Sequence, residues 1–358
     1  MRTVKIAFFD AKNYDREFFT KEAAKIAAME KDGAEDEKIE FQIDYISDRL
    51  NPTTVSFARG HDAVCIFAND QITKQTAETL REFGIRIIAL RSVGYNNVDT
   101  KSITELNLAN AAETPDEQIK IVHIPSYSPH ATAEFAVALL QNLNRKIHKA
   151  YARTRDSNFD TDGFVGTEIF GKTVGIVGAG AIGKAAAEIF KGYGATVLLN
   201  AAHQDQSFGQ KIDSEYVNLE EIFKNSDFIM LFCPLLSDTR HIINNRCIQL
   251  MKKDALIVST GRSSLIDSGE LFDALNSGRI KGVAFDIFEE DRQNLYGDDW
   301  APSPIRDENF DRLLRLPNVL MTHHQAYLTA ENLTMIAEVT LDNIRKIVSG
   351  EECPNIIK

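Results

Sequence analysis

Short runs of aliphatic, β-branched and aromatic residues recur along the chain at 4–9, 63–67, 86–90, 120–124, 173–177, 196–199, 228–232, 255–259, 282–285 and 318–322. Bounded by polar and glycine-containing stretches, these runs predict strands. Most are apolar at nearly every position, the pattern of a strand buried on both faces. Between many of them, as in 76–83, 184–193, 219–224 and 268–276, apolar positions return at helical spacing. Strands alternating with helices predict an α/β protein built on doubly wound parallel sheets.

Two longer amphipathic stretches interrupt this rhythm. Residues 130–153, apolar at 135, 136, 139, 140, 143 and 147, and residues 327–348 each predict a helix long enough to pass from one domain to another. On that reading residues 1–127 and 327–358 form one discontinuous domain around a central domain of residues 128–326. Two sequential domains are the plainer alternative. Residues 109–120, rich in Ala, Glu and Asp, read as a solvated insertion.

Composition bounds the function. The chain has 358 residues with 44% hydrophobic and 26% charged, enough for about two packed domains. Its net charge of −12 opposes a nucleic-acid backbone or an anionic membrane surface, so neither is expected as a partner. An anionic small molecule must then be met by local cations and backbone amides. Cys65, Cys233, Cys247 and Cys353 form no CxxC pair, and the first strand runs into Asp10 and Lys12 without a signal-like apolar region. No uncharged run approaches the roughly 18 residues of a membrane span. A cytoplasmic protein is expected.

The sharpest local signal is Gly178-Ala-Gly-Ala-Ile-Gly183, placed between a predicted strand and a predicted helix. Gly178 permits a tight turn, Gly180 leaves room for a pyrophosphate, and Gly183 lets helix and strand approach. Ala181 and Ile182 open the helix whose N-terminus faces the phosphates. About 20 residues on, where a carboxylate would meet the ribose hydroxyls, stands Asn200. A neutral amide no longer repels a 2′-phosphate, yet no cation except His203 follows nearby. NAD is therefore the expected cofactor, with NADP not excluded.

Three polar constellations lie at or just after predicted strands, where ligands gather in open parallel sheets. Arg262 follows Ser259-Thr260-Gly261 and offers a permanently charged fork to a carboxylate or carbonyl; a surface ion pair is its bland alternative. Asp286, Glu289, Glu290 and Asp291 follow another strand, as either functional acids or a solvated charge run. His323 and His324 follow a third. A histidine held by a carboxylate keeps its proton to near neutral pH and can hand it to a developing alkoxide. Adjacent residues on an extended chain point to opposite faces, and no third ligand has suitable spacing, so no metal site is expected.

Taken in order, Val174 to Gly183, Cys233-Pro234, Thr260-Gly261-Arg262, Asp286-Ile-Phe-Glu289 and His324-Gln-Ala-Tyr327 resemble the D-isomer-specific 2-hydroxyacid dehydrogenases. Ala89-Leu-Arg-Ser-Val-Gly-Tyr-Asn-Asn-Val-Asp99, Pro125-Ser-Tyr-Ser-Pro129 and His324 to Glu331 are similar to the fermentative D-lactate dehydrogenase branch. The resemblance spans essentially the whole chain. It implies a central Rossmann dinucleotide-binding domain inserted in a flavodoxin-like substrate domain, with hinge closure excluding water. Arg262 would bind the carboxylate and carbonyl of pyruvate, and His324 would be the acid/base. The amides of Val93 and Gly94 would hold the carboxylate, with Tyr127 and Tyr327 shaping the pocket. Cys233, Pro234, Thr239, Thr260, Gly261 and Asp286 would surround the dinucleotide.

Three departures stand out. The carboxylate expected to support the histidine is Asp291 rather than the usual Glu, one methylene shorter, with Glu290 beside it as an alternative. Ser263 and Ser264 replace smaller or apolar residues, and His323 replaces a small one. The leading expectation is NADH-dependent reduction of pyruvate or another small 2-keto acid. An NADPH-using reductase of a larger 2-keto acid such as phenylpyruvate, and a non-enzymatic dinucleotide sensor on the same fold, stand as alternatives. A homo-oligomer, dimer or tetramer, is implied through 130–153 and the loop 155–169, with Phe159, Phe164 and Phe170 as contact candidates.

Overall fold

A computed structural model of the chain describes residues 2–29, 39–110, 118–286 and 308–357. It divides into two compact units, Met1–Tyr127 with Thr329–Lys358, and Ser128–Leu328. The first runs β1 (Arg2–Phe8), α1 (Asn13–Met29), β2 (Ile39–Tyr45), β3 (Ala63–Ile66), α2 (Lys74–Glu82), β4 (Ile87–Leu90), α3 (Thr100–Asn110) and β5 (Lys120–Val122). The second opens with α4 (Pro129–Arg145), α5 (Ile147–Arg155), β6 (Thr173–Val177), α6 (Ala181–Gly192), β7 (Thr196–Asn200), α7 (Gln206–Lys211) and β8 (Glu215–Tyr216). It continues through α8 (Leu219–Asn225), β9 (Phe228–Leu231), α9 (Asn245–Leu250), β10 (Leu256–Ser259), α10 (Ser268–Asn276), β11 (Gly282–Phe285), α11 (Glu308–Leu314) and β12 (Val319–Met321). The chain then returns to the first unit through α12 (Ala330–Ser349).

Both sheets are parallel throughout. The first has the order β2-β1-β3-β4-β5, the second β12-β11-β10-β9-β6-β7-β8. Because side chains alternate across a strand, a doubly covered sheet sends successive residues to two cores. Phe228 and Met230 of β9 join Val174, Ile176, Leu140 and Phe190 on one face, whereas Ile229 and Leu231 join Ile222, Ile257, Leu271 and Phe285 on the other. In the first unit Ala7, Val64, Ile66, Ile88 and Leu90 pack with Leu80 of α2 and Ile103 of α3. Its opposite face is covered by α1 and α12, which lie side by side, and Phe8 meets Phe19 edge-on at 4.7 Å.

Local chemistry starts the helices. Thr73, Asn218, Asp267 and Thr329 each accept a hydrogen bond from a backbone N–H three residues on, satisfying a donor the helix cannot use internally. The predicted continuous helix over 130–153 is instead two helices. Lys146 takes φ +52 and donates its N–H to Asn142, whose side-chain oxygen accepts from His148 N at 2.9 Å. That side-chain bond offers the backbone an alternative to continuing the helix. Strands β2 and β8, absent from the sequence reading, extend each sheet by one edge. The acidic stretch assigned to a solvated insertion begins within α3, and most of it, 111–117, lies outside the described residues.

Candidate active site

In the second unit, β6 ends in the glycine turn, and its three glycines do three different jobs. Gly178 has φ +97, and a Cβ there would lie 2.4 Å from Cys233 N, so only glycine fits. A Cβ on Gly183 would meet Gly178 O at 2.2 Å, which is the close helix-to-strand approach. Gly180, the residue before α6, is exposed, and a Cβ on it would meet nothing within 4 Å. The open space lies where a pyrophosphate needs to approach backbone amides at a helix N-terminus, so the cradle fits a dinucleotide. Ala181 and Ile182 form the first turn of α6. Asn200 O accepts from both Gly178 N and Ala179 N at 2.9 Å, tying the end of β7 to the turn.

The Asn200 side chain donates to Val217 O at 2.9 Å. Lys184, one residue past the last glycine, pairs with Asp205 at 2.6 Å and holds that carboxyl below its usual range; His203 is exposed. Cys233 is buried against the glycine turn, where burial pushes its thiol up to about 11, and Pro234 beside it is exposed. Thr239 serves its own loop: its hydroxyl donates to Pro234 O at 2.6 Å and accepts from Leu236 N at 2.7 Å. Its hydroxyl hydrogen is therefore already committed, so toward any further group the hydroxyl can act only as an acceptor.

Arg262, Asp286 and His324 follow three neighbouring strands, β10, β11 and β12. Two strand spacings, roughly 10 Å at the backbone, separate the ends that carry Arg262 and His324. Asp286 connects them. Its N–H donates to Ser259 O at 3.0 Å, and its carbonyl accepts from His324 N at 2.6 Å. Its fully buried carboxylate accepts from Thr322 Oγ1 (2.7 Å), Gln325 N (3.0 Å) and Ala326 N (2.8 Å). These bonds hold His324 at φ +46, a left-handed conformation that a histidine adopts at a cost and that the surrounding bonds must secure.

His324 is half-buried, while His323 is exposed. Tyr327 is buried, with its ring edge-on to the His324 ring at 5.8 Å. After Arg262 the chain forms a short 3-10 turn, Ser263–Leu265, whose two serines are buried; Ser264 O accepts from His241 N at 2.9 Å. Thr260 is buried, and Gly261 packs against Leu265. Asp291, Glu290 and Glu289 lie outside the described residues.

In the first unit Val93 and Gly94 follow β4. Val93 N donates to Tyr127 Oη at 3.3 Å, and Val93 O accepts from His123 Nδ1 at 3.0 Å. Ser92 Oγ donates to Gly94 O at 2.8 Å. Sequence reasoning placed Tyr127 at this loop but not His123, nor the strap that Asp286 makes. The available signal for Asp286 was an acid directly after a fully apolar strand.

A family model for the D-isomer specific 2-hydroxyacid dehydrogenase, NAD binding domain, matches residues 137–326. The chain is 38% identical to a 2-hydroxyacid dehydrogenase homolog of Haemophilus influenzae over 99% of both proteins. It is 37% identical to D-lactate dehydrogenase of Escherichia coli over 98% of this chain and 99% of that protein. The apo-structure of the E. coli enzyme superimposes with a TM-score of 0.84 at 35% identity, covering 99% of this chain and all of the other. The NAD complexed form of a D-isomer specific 2-hydroxyacid dehydrogenase from Lactobacillus delbrueckii ssp. bulgaricus gives 0.75 at 26% identity, covering 99% and 100%.

Proposed function

Because the chain belongs to the D-isomer-specific 2-hydroxyacid dehydrogenases, close to the D-lactate dehydrogenases among them, we propose that it reduces pyruvate, or a similarly small 2-keto acid, to the D-2-hydroxy acid with NADH. The observation that carries this reading is the Asp286 strap, which holds the His324 turn to the strand end leading into Arg262, in the unit that also carries the glycine cradle.

The Arg262 guanidinium, charged at any working pH, grips the substrate carboxylate and polarises its carbonyl. The amides of Val93 and Gly94 hold the same carboxylate, Val93 exchanging its 3.3 Å bond to the Tyr127 hydroxyl for the substrate, and Tyr127 and Tyr327 limit the space around the substrate's small side group. Reduced dinucleotide supplies the hydride that the carbonyl carbon receives. His324 delivers a proton to the carbonyl oxygen as negative charge develops there, and in the reverse direction removes it from the hydroxyl. Asp291, or Glu290 beside it, acts as the carboxylate that supports His324. Gly180, Ala181 and Ile182 receive the pyrophosphate. The preference for NAD is supported by the pairing of Lys184 with Asp205, which leaves that cation less available to attract a 2′-phosphate. We further propose a homo-oligomer and a cytoplasmic location.

Steady-state assays crossing NADH and NADPH with pyruvate, glyoxylate and phenylpyruvate test the reading. Turnover of pyruvate with NADH is expected, and in Asp286→Asn kcat should fall about 10²-fold, since the His324 turn loses an acceptor and shifts on the order of 1 Å. No oxidation of either cofactor with any 2-keto acid would refute dehydrogenase activity. Preference for phenylpyruvate or NADPH would replace the substrate or cofactor named here.

A further inference from the structure

A second group of charges lies in the first unit, at the C-terminal ends of β1, β3 and β4, and the proposed chemistry does not use it. Arg91, the residue after β4, is 3% exposed. Its guanidinium sits over the rings of Phe8 (4.3 Å) and Phe67 (5.1 Å), donates to Asp10 O at 3.0 Å and faces the Asp15 carboxylate at 3.5 Å. Its Nη1 is buried with no hydrogen-bond partner among the described residues. Asp70, after β3, is fully buried and accepts from Leu50 N at 2.7 Å and Phe67 N at 2.6 Å. In a sheet ordered β2-β1-β3-β4-β5, the ends of β1 and β3 flank the point where the strand order reverses, normally a ligand crevice. Here a guanidinium lies across those ends.

Buried ion pairs are weak contributors to stability, and well-packed apolar residues often replace them without loss. What this one fixes is the segment that begins with it. Ser92, Val93 and Gly94 follow Arg91 directly, and three residues beyond them Asn97 Nδ2 donates to Phe67 O at 2.9 Å and to Asp70 O at 2.8 Å. Asn97 O in turn accepts from Ile72 N at 3.0 Å. The far end of the loop is thus tied to the turn that Asp70 closes, and its near end is held by Arg91, which lies over the Phe67 ring of that turn and bonds Asp10 O.

We propose that Arg91, Asp70 and Asn97 form a positioning clamp for residues 92–94, fixing the two amides that receive the substrate carboxylate and so setting keto-acid affinity without touching the ligand. The proposal rests on the role given above to Val93 and Gly94. The charged and titratable groups facing Asp70 are Arg91 from β4, Asp10 and Lys12 from the β1–α1 connection, Asp15 from α1 and Cys65 from β3. Those facing the loop itself are His123 and Tyr127. Burial pushes Asp70 up to about 6, so its pull on Arg91 fades just below neutrality.

Asn97→Ala tests the clamp without stranding a buried charge. KM for pyruvate should rise about tenfold for the two lost hydrogen bonds, with kcat within about twofold and the Kd for NADH, read by fluorescence titration, unchanged. Amide hydrogen exchange across 92–94 should quicken. As pH falls from about 7 to about 5, KM in the parent should rise relative to KM in Asp70→Asn, because the ratio of the two removes every titration that both proteins share. An unchanged KM in Asn97→Ala, or equal losses in KM, kcat and NADH affinity, would overturn the clamp. If both variants fail to fold, Asn97→Ser carries the test: an unchanged KM overturns the clamp, and a raised KM with parental kcat and NADH affinity supports it. Should the parent turn over no 2-keto acid, the assignment of Val93 and Gly94 fails instead; faster exchange in Asn97→Ala would then still support a clamp, and unchanged exchange would refute it.

Discussion

At the scale of single residues, the glycine cradle separates packing from binding. Gly178 and Gly183 are glycine because the chain's own atoms leave no room for a Cβ, but among the described residues none requires Gly180 to be glycine. Its backbone lies at φ −78, open to any L-residue. Gly180→Ala should therefore leave the melting temperature nearly unchanged, with stability within about 0.5 kcal/mol of the parent. NADH affinity should fall at least about tenfold, because the methyl enters space meant for the pyrophosphate. Gly183→Ala should destabilise the fold itself. Calorimetry beside fluorescence titration separates the two, and a Gly180→Ala variant with parental NADH affinity would remove the cradle reading. These glycine roles are legible in sequence because spacing alone encodes them. The strap made by Asp286 is not, since its partners at 259, 322 and 324–326 become neighbours only when β10, β11 and β12 align.

At the scale of elements, the parallel α/β class is written in strands that are apolar at successive positions, such as Ile87–Leu90 and Phe228–Leu231, because both faces of such a strand are covered. β2 escaped that reading: Ile39–Tyr45 is an edge strand whose Glu40, Gln42 and Asp44 break the apolar run. The break at Lys146 escaped it too, since α4 and α5 keep a single amphipathic phase and only the Asn142 side chain interrupts the ladder. The Asp70 carboxyl adds a pH dependence to the packing of β1, β3 and β4. Its pKa rises from 3.8 to about 6 on folding, so the folded chain holds this proton more tightly than the unfolded one. The stability linked to this group is fully present below about pH 4 and declines as pH rises through about 6, by on the order of 3 kcal/mol. Urea unfolding of Asp70→Asn between about pH 4 and pH 6 should show a shallower decline than the parent, and parallel curves would show that Asp70 does not titrate in this window.

For the whole molecule, charge and apolar exposure pull in different directions. A net charge of −12 favours solubility and keeps copies apart, yet one stretch of the second unit exposes large apolar side chains in sequence. Tyr151, Phe159, Val165 and Phe170 are 63%, 76%, 84% and 74% exposed, and α5 buries no residue at all. Phe164, by contrast, is half-buried, with the Arg153 guanidinium over its ring at 4.2 Å. Scattered apolar residues on a surface need no explanation, but a run of them on a segment without a core of its own fits coverage by a second copy. Light scattering should give a mass at least twice the 40.0 kDa of one chain. Replacing Phe159 and Val165 together by Asp should return it to one chain, because a buried unpaired carboxylate costs far more than the lost apolar contact. Both positions are already solvated in the single chain, so the double variant should fold with a parental circular dichroism spectrum. A parent that runs as a single chain at micromolar concentration would mean that water, not another subunit, meets these side chains.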